Sequence, residues 1–471
     1  MGKLENTTTL TPKQRALLEL RLKERREAAS ACEVANRTSG RQSLVGANDD
    51  ENLILADSVD SVDRLLAKFY GMFPWPWQPM KFDFLEDTDF ETDMLNQDIG
   101  DWTRSRIPSG AQIWVAGCGT NQALHTALKF PNASVTGSDI SAKSLEICGA
   151  NARQLDISNL TLIEESINHV TYEDRFDYVV CTGVIHHNAD PKASLQKLAR
   201  SLKPDGVLEL MVYNRYHRIV TSAFQKAVRI FGENEESIDF QSELFLAKTM
   251  AENFPVKEVL EKAFIQYMEW SESDLADLLI QPVEHSYTVE SLETLASACG
   301  LELLIPCISL YAKSLASALL WNLEFRDHQL QLLYDSLPDS RRWQITNLML
   351  HEKSPLLWFS AQRKDSPHRR RTEKQVCEEF LDTVFEKNKT AQRSFIRQDD
   401  GTYGLSPNSV PYPLAAPETS VREVFQSVDG KAPMLGILGR IGIEPSFQTV
   451  NKLRNRLATS AFPYLKSVRP E

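Results

Sequence analysis

No run of apolar residues in this 471-residue chain approaches the ~20 needed for a membrane-crossing helix, so a membrane protein is not expected. The first residues lack the apolar core of a secretory signal. Asn6 stands where a myristoylation pattern after Met1-Gly2 wants Ser or Thr. The seven cysteines are an odd number without a C-x-x-C pair, which points to neither a disulfide framework nor a zinc site, and no metal is expected. Basic residues are outnumbered, 52 against 64 acidic, for a net charge of −12, and form no long stripe. Nucleic acid is therefore not expected as the main partner, because neutralising phosphates takes clustered Lys and Arg. One short basic run, His368-Arg369-Arg370-Arg371, reads as a solvated linker. These absences leave a protein of the reducing cytoplasm, long enough for two or three domains.

What is present centres on Ile113-Trp114-Val115-Ala116-Gly117-Cys118-Gly119-Thr120-Asn121. It reads as a buried strand, a glycine turn, and a helix with Ala123, Leu124, Ala127 and Leu128 on one face. Such a turn brings backbone N–H groups close to a ligand. Asp139 closes a second predicted strand (133–138), where an acid can accept both hydroxyls of a ribose. Leu160–Ile163 and Phe176–Cys181 give a third and a fourth strand, and the fourth feeds Thr182-Gly183-Val184-Ile185-His186-His187. A helix carrying Leu195, Leu198 and Leu202, the turn Lys203-Pro204-Asp205-Gly206 and a fifth strand, Val207–Val212, follow. Strands alternating with helices mean a parallel sheet with right-handed crossovers.

In this order and spacing these segments resemble the class I S-adenosylmethionine-dependent methyltransferases, over roughly residues 60–365 and most densely from 113 to 215. The resemblance implies an α/β, Rossmann-like, seven-stranded and mostly parallel sheet with helices on both faces. It implies S-adenosylmethionine as cofactor, contacted by Gly117, Cys118, Gly119, Asn121, Asp139, Ile140, Glu165, Ser166, Thr182 and Gly183. Two positions depart from the family pattern. Val115 stands where an acid usually precedes the first glycine, and Asn121 where a third glycine is usual. Asn tolerates a left-handed backbone better than most residues, so the turn is expected to survive.

An oxygen or nitrogen acceptor loses a proton as it is methylated, and a His with a near-neutral pKa suits that task. His187 is the first choice for the base, with His186 and Tyr213 as further catalytic candidates, and Asn214, His217 and His285 expected to face the same cleft. The proline-rich aromatic stretch Phe69 to Pro79, too rich in proline for a regular helix, is expected to be a lid. It would bring Tyr70, Phe73, Trp75 and Trp77 to the substrate.

The expected layout is a flexible N-terminus (1–50) with one charged helix at about 12–30, then N-terminal helices and the aromatic lid (51–108). The methyltransferase core (109–365), with a helical insertion over about 219–285 as substrate roof, precedes a small accessory α+β module (366–471), winged-helix-like in pattern. Leu10 to Leu22 resembles the short helical linkers beside carrier domains of modular peptide and polyketide synthases. Three functional classes stay open. The first is a methyltransferase for a small molecule or peptide, free or carrier-bound, such as a tailoring enzyme of secondary metabolism. The second is a degenerate methyltransferase fold acting as an interaction protein, motivated by Val115 and Asn121. The third is an NAD(P)-dependent oxidoreductase, which would want a full G-x-G-x-x-G where this chain has Gln122.

Overall fold

The computed structural model describes residues 52–53, 58–76, 78–232, 239–255, 260, 271–308 and 321–469. The helix expected at about 12–30, the carrier-linker resemblance and Trp77 lie outside these residues.

Seven strands form the central sheet: β1 (Gln112–Ala116), β2 (Ser134–Asp139), β3 (Leu160–Glu164), β4 (Phe176–Thr182), β5 (Leu202–Tyr213), β6 (Leu301–Pro306) and β7 (Leu356–Arg363). Their spatial order is β3-β2-β1-β4-β5-β7-β6. The first five pair in parallel, and β7 runs antiparallel between β5 and β6. This is the expected Rossmann-like, mostly parallel sheet, and its central strands are apolar because both faces are covered. Alternation along β1 shows the two layers. Ile113 and Val115 enter one buried cluster, while Trp114 and Ala116 enter another.

The order reverses at β1, whose left neighbour β2 follows it in the chain and whose right neighbour β4 comes later. A crevice therefore opens at the carboxyl ends of β1, β2 and β4, the place where open α/β sheets bind ligands. The helix Gln122–Lys129 starts at this edge and buries Ala123, Leu124, Ala127 and Leu128, the face read from the sequence.

Residues 366–469 do not pack apart from the sheet. The strand Ala391–Arg397 pairs antiparallel with Lys81–Leu85, ahead of the sheet in the chain, with Phe395 opposite Phe82. Phe380, Phe385, Leu438 and Leu465 share one apolar cluster with Ile113, Val115 and Leu124. Polar groups reinforce the join: Gln97 donates its amide to the carbonyls of Ala458 and Leu465, both at 3.2 Å, and accepts from Ser467 N–H at 2.7 Å. The helix Glu373–Asp382 stops short of Phe385–Lys387, which forms a strand against Leu465–Ser467.

The aromatic stretch also differs from expectation at its start. The helix Val59–Met72 runs through Phe69, Tyr70 and Gly71, and the irregular segment begins only at Phe73. In the insertion, the helices Arg215–Gly232, Phe240–Glu252 and Glu272–Leu279 bury Phe224, Phe240, Leu244 and Leu275 against Phe69 and Phe73. This separate apolar cluster roofs the crevice. The first of these helices begins directly after β5, at Arg215 rather than near 219.

Candidate active site

The glycine turn is shaped by contacts that exclude a side chain. Gly117 and Gly119 have φ of +71° and +52°. A Cβ on Gly117 would sit 2.5 Å from Val184 Cγ2, and one on Gly119 would collide with the carbonyl oxygen of Trp75. The N–H groups of Gly117 and Cys118 both donate to the carbonyl of Ser138, at 2.8 and 2.9 Å, which hooks the turn over the end of β2. Asp139 then closes the loop: one oxygen accepts Gly119 N–H and the other Ser141 N–H, each at 2.8 Å. Burial pushes the Asp139 pKa up, and these two bonds oppose the shift.

Val115, at the position of the family's usual acid, is fully buried among Ile113 and Tyr178 and cannot reach the crevice. Asp139 and the backbone hook order the turn without it. Asn121 has φ of −148°, so no left-handed conformation is required of it. It is buried beneath the turn, accepting from Asn151 at 3.0 Å, and does not line the cavity.

The crevice encloses a cavity of ≈ 490 Å³. Its wall includes Gly117, Cys118, Gly119, Asp139, Ile140, Glu165, Ser166, Thr182 and Gly183, together with Tyr70, Trp75, His187 and Tyr213. The irregular segment after the first helix covers the turn, with the Trp75 carbonyl accepting Thr120 N–H at 3.0 Å and the Pro76 carbonyl accepting the Thr120 hydroxyl. Ser166 donates to Asp63, on the Val59–Met72 helix, at 2.6 Å, and Tyr172 donates to Glu165 at 2.8 Å.

The cavity wall also gathers titratable groups around Asp277, which the insertion supplies. Tyr213 donates to one Asp277 oxygen at 3.2 Å and Tyr70 to the other at 3.3 Å. His187 Nδ1 lies 2.8 Å from the Val283 carbonyl. A carbonyl only accepts, so Nδ1 carries the hydrogen, and the neutral ring has its basic lone pair on Nε2. Burial pulls the His187 pKa down, while the Asp277 carboxylate opposes that shift. Burial likewise raises Asp277, and burial with the nearby Asp277 charge raises Tyr213. Arg218 lies over the Tyr213 ring, 4.3 Å from its centroid, and is paired with Glu284.

Five other expected site residues stand outside the cavity wall. His186 is fully buried, its ring 4.1 Å from those of both His187 and Tyr213, and among the described residues neither of its nitrogens finds a hydrogen-bond partner. Burial drives its pKa well down, so it packs as a neutral ring beneath the site. Phe73 belongs to the roof cluster. Asn214 is buried and donates to the Ser354 carbonyl at 2.6 Å, at the end of β5. His285 Nε2 donates to the Asn188 carbonyl at 3.0 Å, and His217 is half-buried on the helix after β5. Sequence reasoning missed Asp277, Asp63 and Gln122, all on the wall. None belongs to a motif, although Gln122 stands beside the turn that the motif marks.

Fold and cavity together define a class I methyltransferase domain. Residues 109–264 match the family model described as a methyltransferase domain. It is 32% identical over 111 residues to a ubiquinone biosynthesis O-methyltransferase of Actinobacillus pleuropneumoniae, covering 22% of this chain and 47% of that protein. It is 25% identical over 266 residues to a tRNA U34 carboxymethyltransferase of Campylobacter jejuni, covering 52% of this chain and 85% of that one. Over the first curated relatives the chain spans about half their length, 60% and 47%. The structure of PKMT2 from Rickettsia typhi in complex with AdoHcy superposes with a TM-score of 0.51 at 16% identity, over 84% of this chain and 78% of that one, and shares its fold. The family match sets the nicotinamide-dependent alternative aside. Among the described residues no helix is long and apolar enough to cross a membrane, and no group of three or more His, Cys, Asp or Glu could hold a metal.

Proposed function

We propose that the chain methylates an oxygen or nitrogen of a small molecule or peptide, such as a secondary metabolite under tailoring, with His187 as the base. The observation that carries this reading is the His187–Val283 bond, which directs the basic lone pair to Nε2 on a ring in the wall shared with the glycine turn. The cradle fits the cofactor: two left-handed glycines clear space against the turn, and Asp139 stands where a ribose would be met. Gly117, Gly119 and Asp139 would hold it, with Glu165 and Ser166 toward the adenine. Bound there, S-adenosylmethionine supplies an electrophilic methyl group.

The residues of the chain supply position and proton transfer. Tyr70, Trp75 and Tyr213 confine the acceptor and exclude water, and holding it in line is worth up to ~7–11 kcal/mol. His187 Nε2 takes the proton that the acceptor loses, which contributes about 10²–10⁴-fold. Carboxylates of Asp63, Asp139, Glu165 and Asp277 line the cavity, and among the described residues Lys and Arg do not. Such a wall repels phosphates, which favours a small molecule or peptide over nucleic acid.

The test is calorimetric titration of the full chain with S-adenosylmethionine and AdoHcy, with NAD and NADP as controls. Micromolar binding of the first two alone is expected. A screen of alcohols, phenols, amines, peptides and tRNA for methyl uptake then identifies the acceptor. Methylation of tRNA alone would overturn the acceptor class.

A further inference from the structure

The run His368 to Arg371, read from sequence as a solvated linker, folds against the edge of the sheet opposite the cofactor cavity. β7 is antiparallel to β5, with Leu356 opposite Tyr213 and Ala361 opposite Leu208, so the chain leaves β7 beside the start of β5. There it meets the segment 99–106 that precedes β1 and encloses a second cavity, of ≈ 280 Å³.

Arg106 forms its floor and is only 8% exposed. Its guanidinium donates to two backbone carbonyls, Asp205 at 3.0 Å and Gly206 at 3.4 Å, and makes no ion pair with a carboxylate among the described residues. A buried charge without a counter-charge is costly and uncommon. Two further guanidiniums, Arg369 and Arg371, stand on the rim with His368. Arg371 is paired outward with Glu379, and Arg369 is exposed.

Two of the acids nearby, Asp101 and Glu302, are engaged elsewhere. Asp101, on the wall, turns its carboxylate into its own loop, accepting the N–H groups of Thr103 at 3.1 Å and of Ser105 and Arg106 at 2.8 Å. Glu302 accepts from the Gln362 amide at 2.8 Å. Burial and the Arg371 charge draw the Arg106 pKa down to about 10, although Asp101, Asp205 and Glu302 act on it in the opposite direction, and burial with the Arg106 charge lowers His368 against Asp205 and Asp101. Arg106 and Arg371 thus repel one another across the cavity, with no carboxylate in ion-pair contact with Arg106 among the described residues.

We propose that this second cavity binds a small anion of the phosphate class, a phosphate monoester or a diphosphate, with Arg106 beneath it and Arg369 and Arg371 at its rim. Planar guanidiniums suit such oxyanions, which they meet with paired N–H groups. The site is independent of the methyl-transfer reading.

The experiment is calorimetry of the full chain with inorganic phosphate, pyrophosphate and glycerol 1-phosphate, at an ionic strength held constant with KCl. Saturable binding of at least one is expected, and the strongest ligand separates a free anion from an ester. Arg106→Gln and Arg369→Gln should each weaken it by about tenfold or more, while AdoHcy binding stays unchanged. Arg369 is exposed, so its variant reports even where the Arg106 variant fails to fold. No saturable heat from any of the three ligands, or binding unaltered in an Arg369→Gln/Arg371→Gln double variant, would overturn the proposal.

Discussion

His187 and Val283 are joined by a 2.8 Å bond from Nδ1 to the backbone carbonyl, and this contact links the end of β4 to the roof of the cavity. The insertion therefore sets the tautomer of a ring that belongs to the core of the fold. Replacing His187 with Asn should keep a polar side chain of similar reach while removing the base. The expected result is a fall in kcat of about 10²–10⁴-fold with the acceptor found by screening, and unchanged AdoHcy affinity by calorimetry. A parallel loss of AdoHcy binding would assign His187 to the cofactor instead.

Asp277 should tune that base. Its carboxylate favours the protonated imidazole of His187, against the burial that disfavours it. Asp277→Asn removes the charge, so the His187 pKa should fall further below its ordinary value. The acid limb of the kcat/KM profile, where rate is lost as His187 becomes protonated, should then move to lower pH. A profile of rate against pH for both proteins checks this, and a shift to higher pH would show that Asp277 does not act on the base.

Asp277 also shows where sequence reading stops. The strands, the glycine turn, Asp139 and His187 were legible because a parallel core writes its order into short apolar runs, each followed by its loop residues. Asp277 sits mid-helix in an insertion, and only the tertiary fold sets it against Tyr213, 64 residues earlier. The pairing of Phe82 with Phe395 is equally silent, since alternation in a strand reports one buried face and not the partner. For the same reason residues 366–469 read as a separate module: their apolar faces were visible, but not the cluster they share with Ile113 and Leu124. The basic run 368–371 is irregular and exposed at His368 and Arg369, as a solvated linker should be, but a charge pattern does not show the cavity beneath it.

Two glycines separate conformational cost from collision. Gly119 and Gly300 both have left-handed φ, +52° and +77°. A Cβ on Gly300 meets nothing within 4 Å, whereas one on Gly119 strikes the Trp75 carbonyl. Gly300→Ala should therefore cost only the backbone term, about 1–2 kcal/mol, with AdoHcy binding intact. Gly119→Ala should cost more and displace the Trp75 segment, weakening AdoHcy by about tenfold or more, a loss of ~1.4 kcal/mol. Thermal unfolding and calorimetry of the two variants make the comparison, and equal behaviour would show that the Trp75 contact does not matter.

The roof should depend on one buried ion pair. Arg218 donates from both Nε and Nη2 to Glu284, and the two side chains are 6% and 1% exposed. Gln225 adds a 3.0 Å bond to the same carboxylate. Arg218→Ala leaves Glu284 buried with its charge uncompensated, and should destabilise the fold by about 3–5 kcal/mol. An Arg218→Met/Glu284→Leu double variant should recover most of that loss, because removing both charges removes the desolvation cost as well. Despite its burial, the Arg218 charge and hydrogen bonds hold the Glu284 pKa below its ordinary value. The folded state therefore binds this proton less readily than the unfolded chain, and the stabilisation is full above the unfolded carboxylate range and fades as pH falls through the folded value. Urea unfolding at neutral and acid pH should show the natural chain losing stability on acidification. The double variant should lose less of it, and an equal loss in both would place the acid sensitivity in some other carboxylate.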